Sequence, residues 1–143
     1  MPDIVQELTI KAPRHMVFQA VSTPSGLDAW WTERSSGIAV EGEEYELGFG
    51  PGYDWRAVVK RCIPDAEFEL EITDADEDWE DTLVGFVLEE KEGITKVLFH
   101  HTDWPESNDH YKISCHCWAL YLRLLKRYVE RGEIVPYQAR LDA

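Results

Sequence analysis

Two side chains near the end of a strand-like segment could together move a proton. His101 and Asp103 follow Val97 and Phe99 at intervals of two residues, which places all four on one face of an extended strand. A carboxylate beside an imidazole orients the ring and raises its basicity, so the pair could transfer a proton on a bound carbonyl compound. The alternative is a hydrogen-bonded core histidine, and no nucleophile accompanies the pair. His101 and Asp103 are therefore the catalytic candidates, and both readings stay open.

Large aromatic side chains are the second chemical feature of the sequence. Trp30 and Trp31 are adjacent, so on a helix they point about 100° apart, and we expect one to be buried and the other to lie at a rim or pocket mouth. Trp118 sits in the middle of a helical segment, where packing or a cavity wall would both suit it. The ligand-contact candidates are Trp31, Trp55, Phe86, Phe99, His101, Tyr111, Cys115 and Trp118.

Metal ligands do not occur at the usual spacings. Cys115 and Cys117 would point about 200° apart on a helix, so one ion could not bind both. The acidic segment 74–78 starts like a calcium loop, but Trp79 occupies the position that needs glycine, and Gly85 replaces the closing glutamate. Phosphate-binding, dinucleotide-binding and Ser-His-Asp patterns are also missing. The sequence therefore predicts no metal and no cofactor.

Composition narrows the class of partner. The chain has 143 residues, 44% of them hydrophobic, and a formal net charge of −14, which opposes binding to nucleic acid or an anionic membrane. Ten of the acids lie between Asp65 and Asp81 without a Lys or Arg among them. They suit a solvated acidic edge, although a salt-rich habitat or a basic partner would also explain them. Three cysteines give no disulfide framework, and Met1–Ile10 lacks a secretory core, so we expect a cytoplasmic protein.

The order of elements predicts an α+β domain. A strand from Ile4 to Lys11 precedes two short helices, which Pro13 and the pair Thr23-Pro24 begin. Short strands punctuated by glycine and then a meander of alternating strands follow, with residues 67–72 alternating strictly. A long helix from about Asn108 to Arg131 closes the order. Strands and helices are segregated, which is typical of α+β folds rather than of parallel doubly wound sheets.

The long helix carries one apolar stripe, from which we infer a pocket. Its members recur at steps of four and three and are Tyr111, Cys115, Trp118, Leu122, Leu125 and Val129. A curved antiparallel sheet can bury such a helix only by wrapping around it. The space between the sheet and the aromatic end of the stripe is where a ligand cavity would form.

The pattern resembles the START-related, Bet v 1-like superfamily, which has the helix-grip fold, and within it the branch named for activators of a heat-shock-protein ATPase. The resemblance rests on six segments and covers most of the chain. They are residues 12–18, residues 23–31, Trp55 with Val59, the strands at 82–88 and 95–101, and the helix from Trp118 to Gly132. The tail at 135–137 and 140–141 is also similar to some members. The resemblance implies one helix-grip domain over residues 1–143.

Three functions remain open at this point. The leading hypothesis is a binding protein or carrier for a small apolar or aromatic molecule, active as a monomer or weak homodimer. The second is a cyclase-type or dehydratase-type enzyme that uses His101 with Asp103, or a tyrosine of the pocket. The third, which the branch name suggests, is a module that interacts with a chaperone ATPase.

Overall fold

The computed structural model describes residues 3–50 and 52–142. The strands are β1 (Ile4–Ile10), β2 (Arg34–Ser36), β3 (Glu44–Gly48), β4 (Asp54–Ile63), β5 (Glu67–Asp74), β6 (Leu83–Lys91) and β7 (Ile94–Thr102). The helices are α1 (Arg14–Ser22), α2 (Pro24–Trp30), α3 (Asp109–Arg131) and a closing 3₁₀ helix (Tyr137–Asp142). Among the described residues, no helix is both long and apolar enough to cross a bilayer.

The seven strands form one antiparallel sheet in the order β1-β7-β6-β5-β4-β3-β2. β5 shows why the strands form here: Phe68, Leu70 and Ile72 are buried, while the glutamates between them remain partly exposed. This alternation has the two-residue period of a strand with one face on the core. The curved sheet packs around α3, so the predicted α+β helix-grip architecture with two short helices after the first strand is confirmed.

Local sequence signals set both ends of α3. The side chain of Asn108 accepts a hydrogen bond from the Tyr111 backbone N–H at 2.9 Å, which caps the first turn. Gly132 ends the helix in the left-handed region with φ 67°, a conformation that glycine adopts at little cost. Within the predicted stripe, Trp118, Leu122 and Leu125 are buried, whereas its remaining members are only partly buried.

The junction of α1 and α2 fixes the tryptophan pair. Thr23 caps α2 by accepting from the Gly26 N–H at 3.0 Å, and the Trp30 indole donates to the Ala20 carbonyl at 2.9 Å. The expectation that only one of Trp30 and Trp31 would be buried is wrong, because both are at most 2% exposed. α2 ends at Trp30, and Trp31 leaves the helix with φ −118°, so its ring stacks on Trp30 at 6.1 Å.

Candidate functional site

A cavity of about 280 Å³ lies between the first half of α3 and one end of the sheet. Trp31, which follows α2, and residues of the β3–β4 and β5–β6 connections line the cavity. Tyr53 and Ile113, which are 51% and 60% exposed, lie at its mouth. The volume is near the lower limit of small-molecule sites, roughly 300–1,000 Å³. The space therefore suits a compound of one or two rings.

Five aromatic rings form a closed circuit in the wall of this cavity, which we call the aromatic cluster. Its members are Trp31, Phe49, Trp55, Trp79 and Trp118. Consecutive ring centroids lie 5.3, 5.1, 5.0 and 6.0 Å apart in that order, and Trp118 returns to Trp31 at 5.1 Å. These spacings lie within the 4.5–7 Å range of favourable aromatic pairs. The cluster comes from four separate parts of the chain, so only the folded state assembles it.

Neutral polar groups of α3 line the cavity beside the cluster. Ser114, Cys117 and Tyr121 recur at helical spacing on its cavity side. Burial raises the pKa of the Cys117 thiol. Burial, with smaller contributions from Tyr137 and Cys117 against the opposing Arg140 charge, raises the pKa of Tyr121 to about 12. Both groups are therefore protonated and uncharged at neutral pH.

An acid and a histidine lie together at one end of the cavity. Asp76 lines the rim, and His110 lines the wall one helical turn before Ser114. The Nδ1 atom of His110 lies 3.1 Å from a carboxylate oxygen of Asp78, and Trp104 packs edge-on against the imidazole at 5.6 Å. A carboxylate-held imidazole is the geometry of a general base. His110 with Asp78 is thus the histidine–carboxylate pair at this cavity, and sequence reasoning missed it.

His101, the catalytic candidate of the sequence, lies in the core and not in the cavity lining. It is fully buried, and its Nδ1 atom accepts a hydrogen bond from the Trp118 indole N–H at 3.0 Å. Its Nε2 atom lies 2.9 Å from the Thr82 hydroxyl oxygen. An indole N–H can only donate, so Nε2 carries the ring proton and donates to Thr82, which donates to the Trp79 carbonyl. Burial, followed by His100 and His110, lowers the pKa of His101 to about 3. The ring is neutral, and both nitrogens are occupied.

Asp103 does not face His101 as the strand pattern predicted. β7 ends at Thr102, and Asp103 turns into the left-handed region with φ 68°, where its side chain is exposed and its N–H donates to Asp3 at 3.3 Å. The two-residue periodicity therefore stops one residue before Asp103. The predicted orientation is wrong because the chain leaves the sheet at this point.

The remaining ligand-contact candidates divide into three groups. Trp31, Trp55 and Trp118 line the cavity. Phe86 and Phe99 are buried beneath it in the sheet core, 5.4 Å from one another. Tyr111 and Cys115 belong to the neighbouring face of α3, toward β1: the Tyr111 hydroxyl donates to the Asp3 carbonyl, and the Cys115 carbonyl accepts from Gln6.

The cavity also contains residues that the sequence did not single out. Phe49 and Trp79 lie in connections between strands, where no periodicity indicates the direction of a side chain. Trp79 is 8% exposed, and its buried indole N–H has no hydrogen-bond partner among the described residues. Such an unpaired donor costs about 1–3 kcal/mol. The position of Trp79 is therefore set by ring packing rather than by hydrogen bonding. The same described residues contain no group of three or more His, Cys, Asp or Glu side chains that could hold a metal ion.

Comparison with known proteins agrees with this architecture. Residues 11–130 match the family described as activator of Hsp90 ATPase homolog 1-like protein. The solution structure of the Aha1 dimer from Colwellia psychrerythraea is 32% identical, with a TM-score of 0.83 over 93% of this chain and 99% of that chain. No curated protein matches the sequence significantly.

More distant solved structures share the fold alone. CalU16 from Micromonospora echinospora is 21% identical, with a TM-score of 0.76 over 98% of this chain and 84% of that one. SSP2350 from Staphylococcus saprophyticus is 20% identical, with a TM-score of 0.78 over 94% of this chain and 96% of that one. The resemblance inferred from the sequence is confirmed.

Proposed function

Because the chain belongs to the family of activator of Hsp90 ATPase homolog 1-like proteins, which here has the helix-grip fold, we propose that it reversibly binds a small aromatic molecule between α3 and the sheet. The observation that carries this proposal is the aromatic cluster, five rings in mutual contact beside a cavity of about 280 Å³. Ring faces and edges stabilise a planar guest through burial and through ring-to-ring contacts of about 0.5–1.5 kcal/mol each. We further propose that this single domain acts in the cytoplasm.

The neutral polar groups support a binding role. Ser114, Cys117 and Tyr121 offer hydrogen bonds along one side of the cavity without a formal charge. Sites of this kind bind through apolar contact and use a few polar atoms to orient the guest. His101 does not serve the enzyme hypothesis, because it is a satisfied core group outside the cavity lining.

Calorimetric titration with 2-naphthol tests the proposal. Cys117 and Cys115 provide matched substitutions on one helix, since both are partly buried but only Cys117 lines the cavity. We expect Cys117→Phe to weaken binding at least tenfold and Cys115→Phe to change it less than twofold, with and without a chelator. Equal losses in both variants, or no binding to the wild-type protein by 2-naphthol or by flavonoid-like, polyketide-like and fatty-acid compounds, would contradict the binding role.

A second candidate function follows from the family match and from the identity of 32% to the Aha1 dimer. In this role the chain would stimulate the ATPase of an Hsp90-type chaperone. A coupled ATPase assay with purified chaperone distinguishes the candidates. Stimulation that persists in Cys117→Phe would favour the chaperone role independently of the cavity.

The relative's assembly also suggests an oligomeric state. The Colwellia psychrerythraea structure is a dimer, and we propose a monomer or weak homodimer for this chain. Light scattering across a hundredfold range of concentration should show the mass of one chain at the lowest concentration, which stays constant for a monomer and rises with concentration for a weak homodimer. A constant mass of two chains at the lowest concentration would contradict a weak dimer.

A further inference from the structure

The cavity combines aromatic faces with negative charge and lacks Lys and Arg side chains among its described lining residues. Among the described lining residues, eight carry a Trp, Tyr or Phe ring, Asp76 is acidic, and none is Lys or Arg. A cavity for a neutral hydrocarbon needs no acid at its rim. A cavity for a carboxylate or phosphate would be expected to contain Lys, Arg or a free helix N-terminus.

From this arrangement, the geometry points to an organic cation as the ligand: a quaternary or tertiary ammonium group with a single aromatic or short apolar arm. This inference rests on the proposed function and specifies the charge of the guest. Aromatic faces carry the negative part of the ring quadrupole, and they attract a cation within about 6 Å of the centroid. The cavity is lined by eight aromatic rings, so a cation held in it lies beside several of them together.

Charges around the cavity favour a cation over an anion. Asp76 lies at the rim, Asp78 is paired with the cavity-lining His110, and the whole chain has a formal net charge of −14. A field of this sign raises the local concentration of cations and repels anions. The phenol of Tyr121 and the thiol of Cys117 stay uncharged, so they present dipoles rather than a counter-charge.

The nearest buried cation lies outside the lining. Arg140 is held by the carbonyl oxygens of Asp28, Thr32 and Val135, and its guanidinium carbon lies 5.4 Å from the centroid of the Tyr137 ring. Those carbonyls fix the guanidinium behind the wall of the cavity. Tyr137 itself lines the cavity, so one wall of the site already has a cation over its ring.

Three probe molecules of nearly equal shape test which charge the cavity prefers in its ligand. Benzyltrimethylammonium is the cation, neopentylbenzene replaces its nitrogen by carbon, and phenylmethanesulfonate is the anion. Calorimetry or tryptophan quenching at low salt should show benzyltrimethylammonium binding at least tenfold more tightly than neopentylbenzene, with the anion weakest. The advantage of the cation should shrink as salt is raised, because Asp76 is exposed and its field is screened.

Two variants separate the aromatic and acidic contributions. Trp55→Phe should reduce the advantage of the cation over neopentylbenzene about threefold, because indole is the best cation–π partner and Phe keeps the apolar surface. Asp76→Asn should weaken only the cation, about threefold at low salt. Glu92→Gln is the matched control and should change the affinity of none of the probes. Glu92 lies in the hairpin at the end of β6 that is distant from the cavity, roughly 25 Å away along the strand at 3.3 Å per residue.

Each outcome has a defined meaning. The order cation, neutral, anion with both variant effects supports the inference. Neopentylbenzene or the sulfonate binding as tightly as the cation overturns the inference and leaves the aromatic binding site in place. If none of the three probes binds, the inference is overturned. If 2-naphthol and the flavonoid-like, polyketide-like and fatty-acid compounds also fail, the proposed function is overturned as well.

Discussion

The buried imidazole of His101 makes a strong prediction about pH. Its pKa is lowered to about 3 in the folded protein, mainly by burial, against about 6.5 in the unfolded chain. Below pH 6.5 the unfolded chain takes up a proton that the folded protein refuses, so the contribution of His101 to stability is present above pH 6.5 and lost as the pH falls toward 3. The linkage slope is about 1.4 kcal/mol per pH unit. Between pH 7.5 and pH 4.5 the loss amounts to roughly 2.5 kcal/mol.

Carboxylates also titrate in this range, so the measurement must isolate His101. His101→Gln keeps an acceptor for the Trp118 indole and a donor for Thr82 but does not titrate. In urea unfolding, lowering the pH from 7.5 to 4.5 should cost the wild-type protein roughly 2.5 kcal/mol more of its free energy of unfolding than it costs the variant. The stability gap, which is the free energy of unfolding of the wild type minus that of the variant, therefore falls by this amount. The exposed His15→Gln provides the control and should show a constant gap. A gap that stays constant for His101→Gln, or grows as the pH falls, would refute the proposed tautomer and burial.

Three further substitutions or conditions test the fold. Trp118→Ala should lower the free energy of unfolding by about 3–5 kcal/mol because it empties a core position. Ile113→Ala, at the exposed mouth of the cavity, should lower it far less. Equal denaturation midpoints for Trp118→Ala and the wild-type protein would contradict the assigned helix face. Gly26→Ala should destabilise the protein strongly, since an added Cβ atom would lie 2.7 Å from the Ala20 Cα atom. If the melting temperature of Gly26→Ala is no lower than that of Ser25→Ala, α1 and α2 do not approach one another this closely. Raising sodium chloride from 20 to 300 mM should raise the melting temperature, because salt screens the repulsion among the acids between Asp65 and Asp81. A flat or falling melting temperature would mean that ion pairs such as Arg61–Glu67 already compensate these charges.

The fold was predictable because local signals and global packing agree in this chain. The alternation of residues 67–72, the caps at Thr23 and Asn108, and the terminal Gly132 each fix one element. Once a single long amphipathic helix follows a run of antiparallel strands, few arrangements bury its stripe. The sheet order with β1 beside β7 was not predicted and is an observation of the structure.

The site was only partly predictable because it depends on rotations and turns that periodicity does not encode. On α3, the cavity side contains Cys117 and not Cys115, a difference set by the orientation of the helix against the sheet. Asp103 does not lie on the predicted strand face because β7 ends at the residue before it. Trp31 is buried together with Trp30 because α2 ends before Trp31. Trp79 lies in an acidic connection whose composition favoured a solvated edge and gave no sign of a buried ring.

The indole signals of the six tryptophans test the binding site most directly, because each reports from a known place. In a ¹H–¹⁵N titration with benzyltrimethylammonium and with 2-naphthol, the signals of Trp31, Trp55, Trp79 and Trp118 should shift together along one binding curve. The Trp30 indole donates to the Ala20 carbonyl away from the cavity and should stay in place. Saturable binding of either probe that leaves these four signals unmoved, or that shifts Trp30 most, would contradict a ligand site at the aromatic cluster.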